Sequence, residues 1–255
     1  MTAIRVGVQL HPQHTTWASY AAAVRRFEDL GVDTIWNWDH FFPLYGDPNG
    51  AHFEGWTLLS AMAMLTTRAE VGCLVTCNSY RNPALLSNMA KTLDHISGGR
   101  LILGLGAGWF ERDYSTYGYH FGTAPERLRA LRAALPIIKE RWEHDVPRPT
   151  RPIPIMIGGG GEKVTLRIAA EHAQLWHGFG PPETLKHKNA VLDEWCARVG
   201  RDPRQIERSV SPVKGASLDA YLEVGVTHFI FGLGEPWETA EVEAALRWRA
   251  GLPAT

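Results

Sequence analysis

Pro154-Ile-Met-Ile-Gly-Gly-Gly-Gly161-Glu-Lys-Val-Thr-Leu-Arg-Ile-Ala-Ala170 runs from a short apolar segment through four glycines into a helical pattern. Read as strand, turn and helix, it is one βα unit, the repeating piece of a parallel sheet. The glycines carry no Cβ, so a ligand can reach the backbone there. The helix that follows offers unpaired N–H groups and a partial positive charge. Together these features suit a phosphate group; the alternative is a flexible turn. The spacing does not match Gly-x-x-x-x-Gly-Lys-Ser/Thr, which argues against a nucleoside-triphosphate loop.

The same alternation extends in both directions. Strands are expected at Ile4 to Leu10, Val32 to Trp38, Ala69 to Thr76, Arg100 to Leu105, Ile155 to Ile157, Gln174 to His177, Ile206 to Ser211 and Thr227 to Phe231. Helices are expected at Thr16 to Leu30, Gly55 to Thr67 and Pro83 to Ser97, then from Pro125 with a kink at Pro136. Four more follow: Glu162 to His172, Pro182 to Val199, Leu218 to Glu223, and Glu235 to Ala250 with Pro236 in its first turn. Long loops cover Phe41 to Phe53 and Gly106 to Thr123, and four prolines stiffen Asp145 to Pro154. Eight strand–helix pairs in a chain of 255 residues match one closed (β/α)₈ barrel, a single domain over 1–255. A doubly wound open sheet is the alternative. No Gly-x-Gly-x-x-Gly follows the first strand, which counts against a dinucleotide fold there.

Composition narrows the partners. Hydrophobic residues make up 45% and charged residues 21%, as in ordinary globular proteins. A net charge of −1 advertises neither nucleic acid nor an anionic membrane. No run approaches the ~18 apolar residues of a membrane span, and the first residues read as a strand rather than a signal peptide. The cytoplasm is the expected compartment. Three cysteines suit a reducing environment. Cys73 and Cys77, four apart in a strand, should point to one face as small buried residues.

In a barrel, chemistry gathers at the carboxyl ends of the strands. There lie His11 and His14; Asn37, Asp39 and His40; Thr76, Asn78, Tyr80 and Arg81; Gly108, Trp109 and Arg112; the tetraglycine; and His177. The aromatics and glycines suit a large planar ligand with a phosphate tail. Eleven histidines raise the question of a metal, but there is no His-x-His on the first strand and no bridging lysine, so none is expected. Asp39-His40 is the sharpest acid–base pair, an imidazole beside a carboxylate that can hold its ring. The plainer alternative is a capping aspartate and a packed histidine.

Six segments carry a family resemblance: Val6-Gly-Val-Gln-Leu10, Gly31-Val-Asp-Thr-Ile-Trp-Asn-Trp-Asp-His40, Asn78-Ser-Tyr-Arg-Asn-Pro83, Thr92-Leu-Asp-His-Ile-Ser-Gly-Gly-Arg-Leu101, Gly104-Leu-Gly-Ala-Gly-Trp-Phe-Glu-Arg112 and Ile157-Gly-Gly-Gly-Gly-Glu162. Through them the chain resembles the luciferase-like monooxygenase superfamily, in particular its actinobacterial coenzyme F420-dependent oxidoreductases. The resemblance implies a barrel that binds F420, or alternatively FMN, at the strand ends, acts on a small organic molecule and forms a homodimer. It implies His40 as the proton-handling residue, with Asp39 beside it at the deazaflavin ring. It places a non-prolyl cis peptide at Cys73–Leu74 behind the ring, Thr76 near the sugar-alcohol chain, and the phosphate at Gly158, Gly159, Gly160, Gly161 and Glu162. Gly108 and Trp109 complete the cofactor set. Trp109 stands where related sugar-phosphate dehydrogenases carry a glutamate, which turns the substrate class away from theirs. The excursion between the fourth helix and fifth strand is cut to the proline linker, implying a pocket that is more open or closed by a partner subunit. Three functions follow: F420-dependent hydride transfer, FMN-dependent monooxygenation, and non-catalytic flavin binding.

Overall fold

The computed structural model describes residues 3–252; Met1, Thr2 and residues 253–255, which the 1–255 domain span includes, lie outside it. Nine parallel strands form one sheet that curls into a nearly closed barrel. They are β1 (Arg5–Leu10), β2 (Thr34–Asn37), β3 (Glu70–Cys73), β4 (Thr76–Cys77), β5 (Leu103–Gly106), β6 (Ile155–Gly158), β7 (Leu175–Gly178), β8 (Glu207–Val210) and β9 (His228–Leu233). The longest pairing joins β1 to β9, from Arg5 opposite His228 to Leu10 opposite Leu233. A parallel bridge between Val71 and Leu101 closes the seam beside β3. Nine helices pack outside among the described residues: α1 (Trp17–Leu30), α2 (Gly55–Leu65), α3 (Pro83–Ser97), α4 (Glu111–Tyr117), α5 (Ala124–His144), α6 (Thr165–His172), α7 (Pro182–Arg198), α8 (Leu218–Glu223) and α9 (Ala240–Ala250).

The helix boundaries follow local chemistry. The Thr16 hydroxyl caps α1 by accepting from the Ser19 N–H at 3.2 Å, and Gly31, at φ 89°, ends the helix in a left-handed turn. One apolar layer lies between strands and helices, built on residues such as Val6, Val8, Phe27, Leu59, Leu103, Ile157 and Phe229. A second, smaller cluster fills the barrel: Trp36, Leu74, Ile102, Met156, Leu175 and Ile230. Both faces of the strands are therefore buried, as parallel sheets require.

Five features differ from the sequence reading. The third strand is broken in two, and the non-prolyl cis peptide is at Leu74–Val75, one bond after the expected Cys73–Leu74. Cys73 still pairs with Asn37 of β2, and the Leu74 N–H still donates to the Asn37 carbonyl at 2.8 Å, so the ladder holds until the next peptide. The break also resets the period of two: the Cys73 thiol meets Asn37 Oδ1 at 2.9 Å, whereas the Cys77 thiol meets the Tyr114 hydroxyl at 3.1 Å. The two cysteines are buried, but in different clusters. The segment read as loop after β5 contains α4. Pro136 lies inside the 21-residue helix α5, as the sequence placed it, but Pro236 precedes α9 rather than opening it.

Candidate active site at the carboxyl mouth of the barrel

A cavity of about 470 Å³ opens at the carboxyl ends of the strands, and its walls come from β1, β2, β4, β5, β6, β7 and the loops after them. Its floor is shaped by glycines. A Cβ on Gly104 would lie 2.0 Å from the Cys73 carbonyl oxygen, and one on Gly106 or Gly158 would lie 2.6 or 2.8 Å from a Val75 methyl. These three bare positions on β5 and β6 give Leu74 and Val75 room to protrude between their neighbours. The Leu74 carbonyl is held from across the barrel by Gln9 Nε2 at 2.5 Å. Gly108, at φ 82°, passes so close to Tyr114 and Cys77 that a Cβ would stand 1.9 Å from the tyrosine oxygen.

His40 lines this cavity, and its partner is not the neighbouring Asp39. Successive side chains at a strand end point to opposite sides. His40 Nδ1 instead meets Asp113 Oδ2, on α4, at 2.7 Å. Asp113 is fully buried and also accepts from the Tyr80 hydroxyl at 2.9 Å and the Phe41 N–H at 3.1 Å. Burial, then the nearby Cys77 and Asp113, push the Tyr80 phenol well up, so it stays protonated and donates. Three donors converge on one carboxylate, which fixes the His40 ring with Nδ1–H toward Asp113 and leaves Nε2 as the free nitrogen. Trp109 and Phe110 pack edge-on to the imidazole at 5.8 and 5.6 Å.

Asp39 belongs to a different network. Arg81 grips its two oxygens at 2.6 and 3.0 Å, the Cys77 N–H donates to it at 2.9 Å, and Arg81 reaches Glu54 at 2.7 Å. Burial works against the Arg81 charge, but Asp39, and beyond it Cys73 and Glu54, together raise the guanidinium above its ordinary value. Asp39 thus braces the start of the loop after β2 against β4. Behind His40, the His11 ring stacks on the Trp38 indole at 4.4 Å, and the indole N–H donates to His52 Nε2 at 2.9 Å. Burial lowers both histidines to about 4, so they are neutral at neutral pH.

The glycine loop is arranged less simply than a helix start at Glu162. Residues 162–164 form a turn, and α6 begins at Thr165. Gly159, at φ 118°, and Gly158 line the cavity together with Thr165; Gly160 and Gly161 stand beyond its lining. A Cβ on Gly160 would meet nothing nearer than Lys188 Cε at 3.8 Å, whereas one on Gly161 would lie 2.8 Å from the Thr165 hydroxyl. Glu162 is paired with Lys188 at 2.5 Å and His187 at 3.0 Å, which hold its carboxyl below the usual range. Nearby, His177 is fully buried and lowered to about 3 by burial. The Ser209 hydroxyl donates to the Trp176 carbonyl, so it accepts from His177 Nδ1 at 3.0 Å, and Ser211 faces Nε2 at 3.4 Å.

Of the residues singled out from sequence, Asp39, His40, Leu74, Cys77, Tyr80, Gly108, Trp109, Gly158, Gly159 and His177 meet at the cavity. Cys73 and Thr76 sit behind it, Thr76 accepting from the Trp56 indole at 3.2 Å, and Gly160, Gly161 and Glu162 lie outside its rim. Sequence reasoning passed over Asp113, Gln9, Val75, Thr165 and Phe179. Asp113 carried one faint signal, an acidic first turn in Glu111-Arg-Asp113.

Residues 1–214 match the family model of luciferase-like monooxygenases. The F420-dependent glucose-6-phosphate dehydrogenase of Amycolatopsis mediterranei is 31% identical over 54% of this chain, and that of Kineococcus radiotolerans is 32% identical over 72%. The matches span 46% and 59% of those two enzymes, so the chain aligns with about half the length of each. Among solved structures, an F420-dependent secondary alcohol dehydrogenase in complex with an F420–acetone adduct superposes with a TM-score of 0.84 at 17% identity, covering 99% of both chains. The F420-dependent tetrahydromethanopterin reductase of Methanopyrus kandleri follows at 0.73 and 17%, covering 95% of this chain and 96% of its own. At that identity the two superpositions establish a shared fold. With the family model spanning most of its length, the chain belongs to the luciferase-like monooxygenase family.

Proposed function

We propose that this chain is an oxidoreductase that binds coenzyme F420 at the carboxyl mouth of its barrel and moves a hydride between the deazaflavin and a small organic substrate. The observation that carries the reading is His40, a residue of the cavity wall held through Nδ1 by the buried Asp113. The residues present fit the cofactor. Leu74 and Val75, pushed forward between Gly106 and Gly158, offer an apolar backing for a flat ring. Gly159, Gly160 and Thr165 offer open backbone and a hydroxyl for a phosphate at the start of α6. A deazaflavin held there supplies the hydride donor or acceptor.

The chain's own work is then positional and acid–base. His40 Nε2 takes a proton from a substrate hydroxyl, or returns one to a carbonyl, as the adjacent carbon loses or gains hydride. Asp113 stabilises the imidazolium formed in the first direction. Trp38, Trp109 and Phe110 pack edge-on against the imidazole and give it apolar neighbours. Equilibrium titration with F420 and with FMN, followed through tryptophan fluorescence, tests the reading. It expects F420 to bind more tightly; FMN binding with no response to F420 overturns it.

A further inference from the structure

The substrate side of the cavity has a chemical character of its own. Its walls are Trp38, His40, Leu44, Tyr45, Trp109 and Phe179, and no lysine or arginine lines the cavity. Four cations on the surrounding elements are committed elsewhere. Arg81 is held by Asp39 and Glu54. Arg112 stacks on Phe42 and donates to the Pro48 carbonyl and Asn49. Arg127 donates to the Gly108, Phe121 and Gly122 carbonyls. Lys188 is taken by Glu162. The two histidines flanking Trp38 are neutral near pH 7. A phosphate or carboxylate carried to this side, away from Gly159 and Thr165, would leave water without a cationic partner, at a cost that burial makes large.

The mouth, by contrast, is apolar and uncovered. Tyr45, Trp109 and Phe179 come from three different loops and are 62%, 64% and 60% exposed. Large aromatics left in water together at a cavity rim are the signature of a surface that a ligand covers. From these observations we infer that the enzyme takes an uncharged, mainly apolar, ring-sized secondary alcohol or ketone, clasped by Trp109, Tyr45 and Phe179 with its oxygen at His40 Nε2, and rejects phosphorylated sugars. The inference rests on the hydride-transfer reading above for its reaction. In the oxidative direction the carbinol C–H passes as hydride to the deazaflavin, the O–H proton passes to His40, and the C–O bond becomes a carbonyl.

The test separates the two. Cyclohexanone, tert-butylcyclohexanone and glucose 6-phosphate are titrated into the protein without cofactor, and their binding is read by tryptophan fluorescence. The matching alcohols and glucose 6-phosphate are then offered to protein saturated with F420, and deazaflavin reduction is followed. The expected result is binding and turnover of the neutral rings, tighter for the larger one, and none for the phosphate. Phe179→Ala should weaken ketone binding about tenfold while F420 affinity stays within a few-fold. Tighter binding of glucose 6-phosphate than of either ketone, or no ketone binding at all, overturns the inference whatever the cofactor does. Ketone binding without any F420 binding would overturn the hydride-transfer reading and, with it, the reaction assigned here.

Discussion

Asp113 Oδ2 lies 2.7 Å from His40 Nδ1 although 73 residues separate them in the chain. A short helix in the loop after β5 carries the carboxylate across the mouth to the strand-end histidine. His40→Asn should lower kcat by about 10²–10⁴-fold, the usual worth of a general acid–base, and leave F420 affinity within a few-fold. An unchanged kcat would reduce His40 to a piece of wall.

Asp113→Asn should lower kcat by about 10²-fold with little change in KM, because the amide cannot accept from His40, Tyr80 and Phe41 at once. If Asp113 acts through His40, the double variant will be no slower than His40→Asn alone. Full additivity in that cycle would mean the aspartate serves only the fold.

The glycine loop makes two different demands. Gly159→Val forces a side chain into a backbone at φ 118°, whereas Gly160→Val adds bulk where only open space lies before Lys188. Both should weaken F420 binding about tenfold, the worth of a charge-assisted hydrogen bond. Only Gly159→Val should also lower the melting temperature. Unchanged affinity in a folded Gly160→Val protein would remove the phosphate from this loop.

Gly104→Ala probes the floor of the cavity. Its methyl would meet the Cys73 carbonyl at 2.0 Å, and backbone cannot rotate away as a side chain can. Overpacking of this kind costs roughly 1–3 kcal/mol. Urea unfolding should show it as a lower midpoint, and an unaltered midpoint would mean the barrel yields at this seam.

Stability should fall in mild acid. His177 is lowered to about 3, and His11 and His52 to about 4, all chiefly by burial. In the unfolded chain a histidine takes up its proton near pH ~6.5. Below that value the unfolded state binds protons that the folded state refuses, so stability drops as pH falls toward 4 and then 3, and is unaffected above ~6.5. His177 alone contributes a slope of up to roughly 1.4 kcal/mol per pH unit. Buried carboxylates such as Glu207 are held below their usual range and act later. Urea midpoints measured from about pH 7 to about pH 5 should therefore decline, and less steeply in His177→Gln. A flat profile would contradict the burial of these imidazoles as neutral rings.

The barrel was legible because its signal is repeated. Each apolar run such as Ile155-Met-Ile157 is followed by a helical pattern, and a single misplaced boundary leaves the count intact. The site was legible only where one strand end held its own chemistry, as at Trp38-Asp39-His40. Partnership across the mouth left no local trace. Adjacency in sequence suggested Asp39 for His40, but alternation sends the two side chains apart, and the true carboxylate arrives on α4, hidden within a segment whose glycines and aromatics read as loop. The position of the strand break was likewise set by a neighbour, since Asn37 holds the ladder through the Leu74 N–H.

The glycine floor and the aromatic rim are built by different parts of the chain. Gly104, Gly106 and Gly158 belong to interlocked strands, and Leu74 and Val75 to the break between two of them, where a single added methyl meets backbone or a Val75 methyl. Tyr45, Trp109 and Phe179 hang from three separate loops and stand exposed at the rim. Loop residues can thus be exchanged, by evolution or by an engineer, without renegotiating the fit of the strands beneath. New substrate preferences would be reached in single steps at 45, 109 or 179, while a change of redox partner would need several simultaneous ones in the strands.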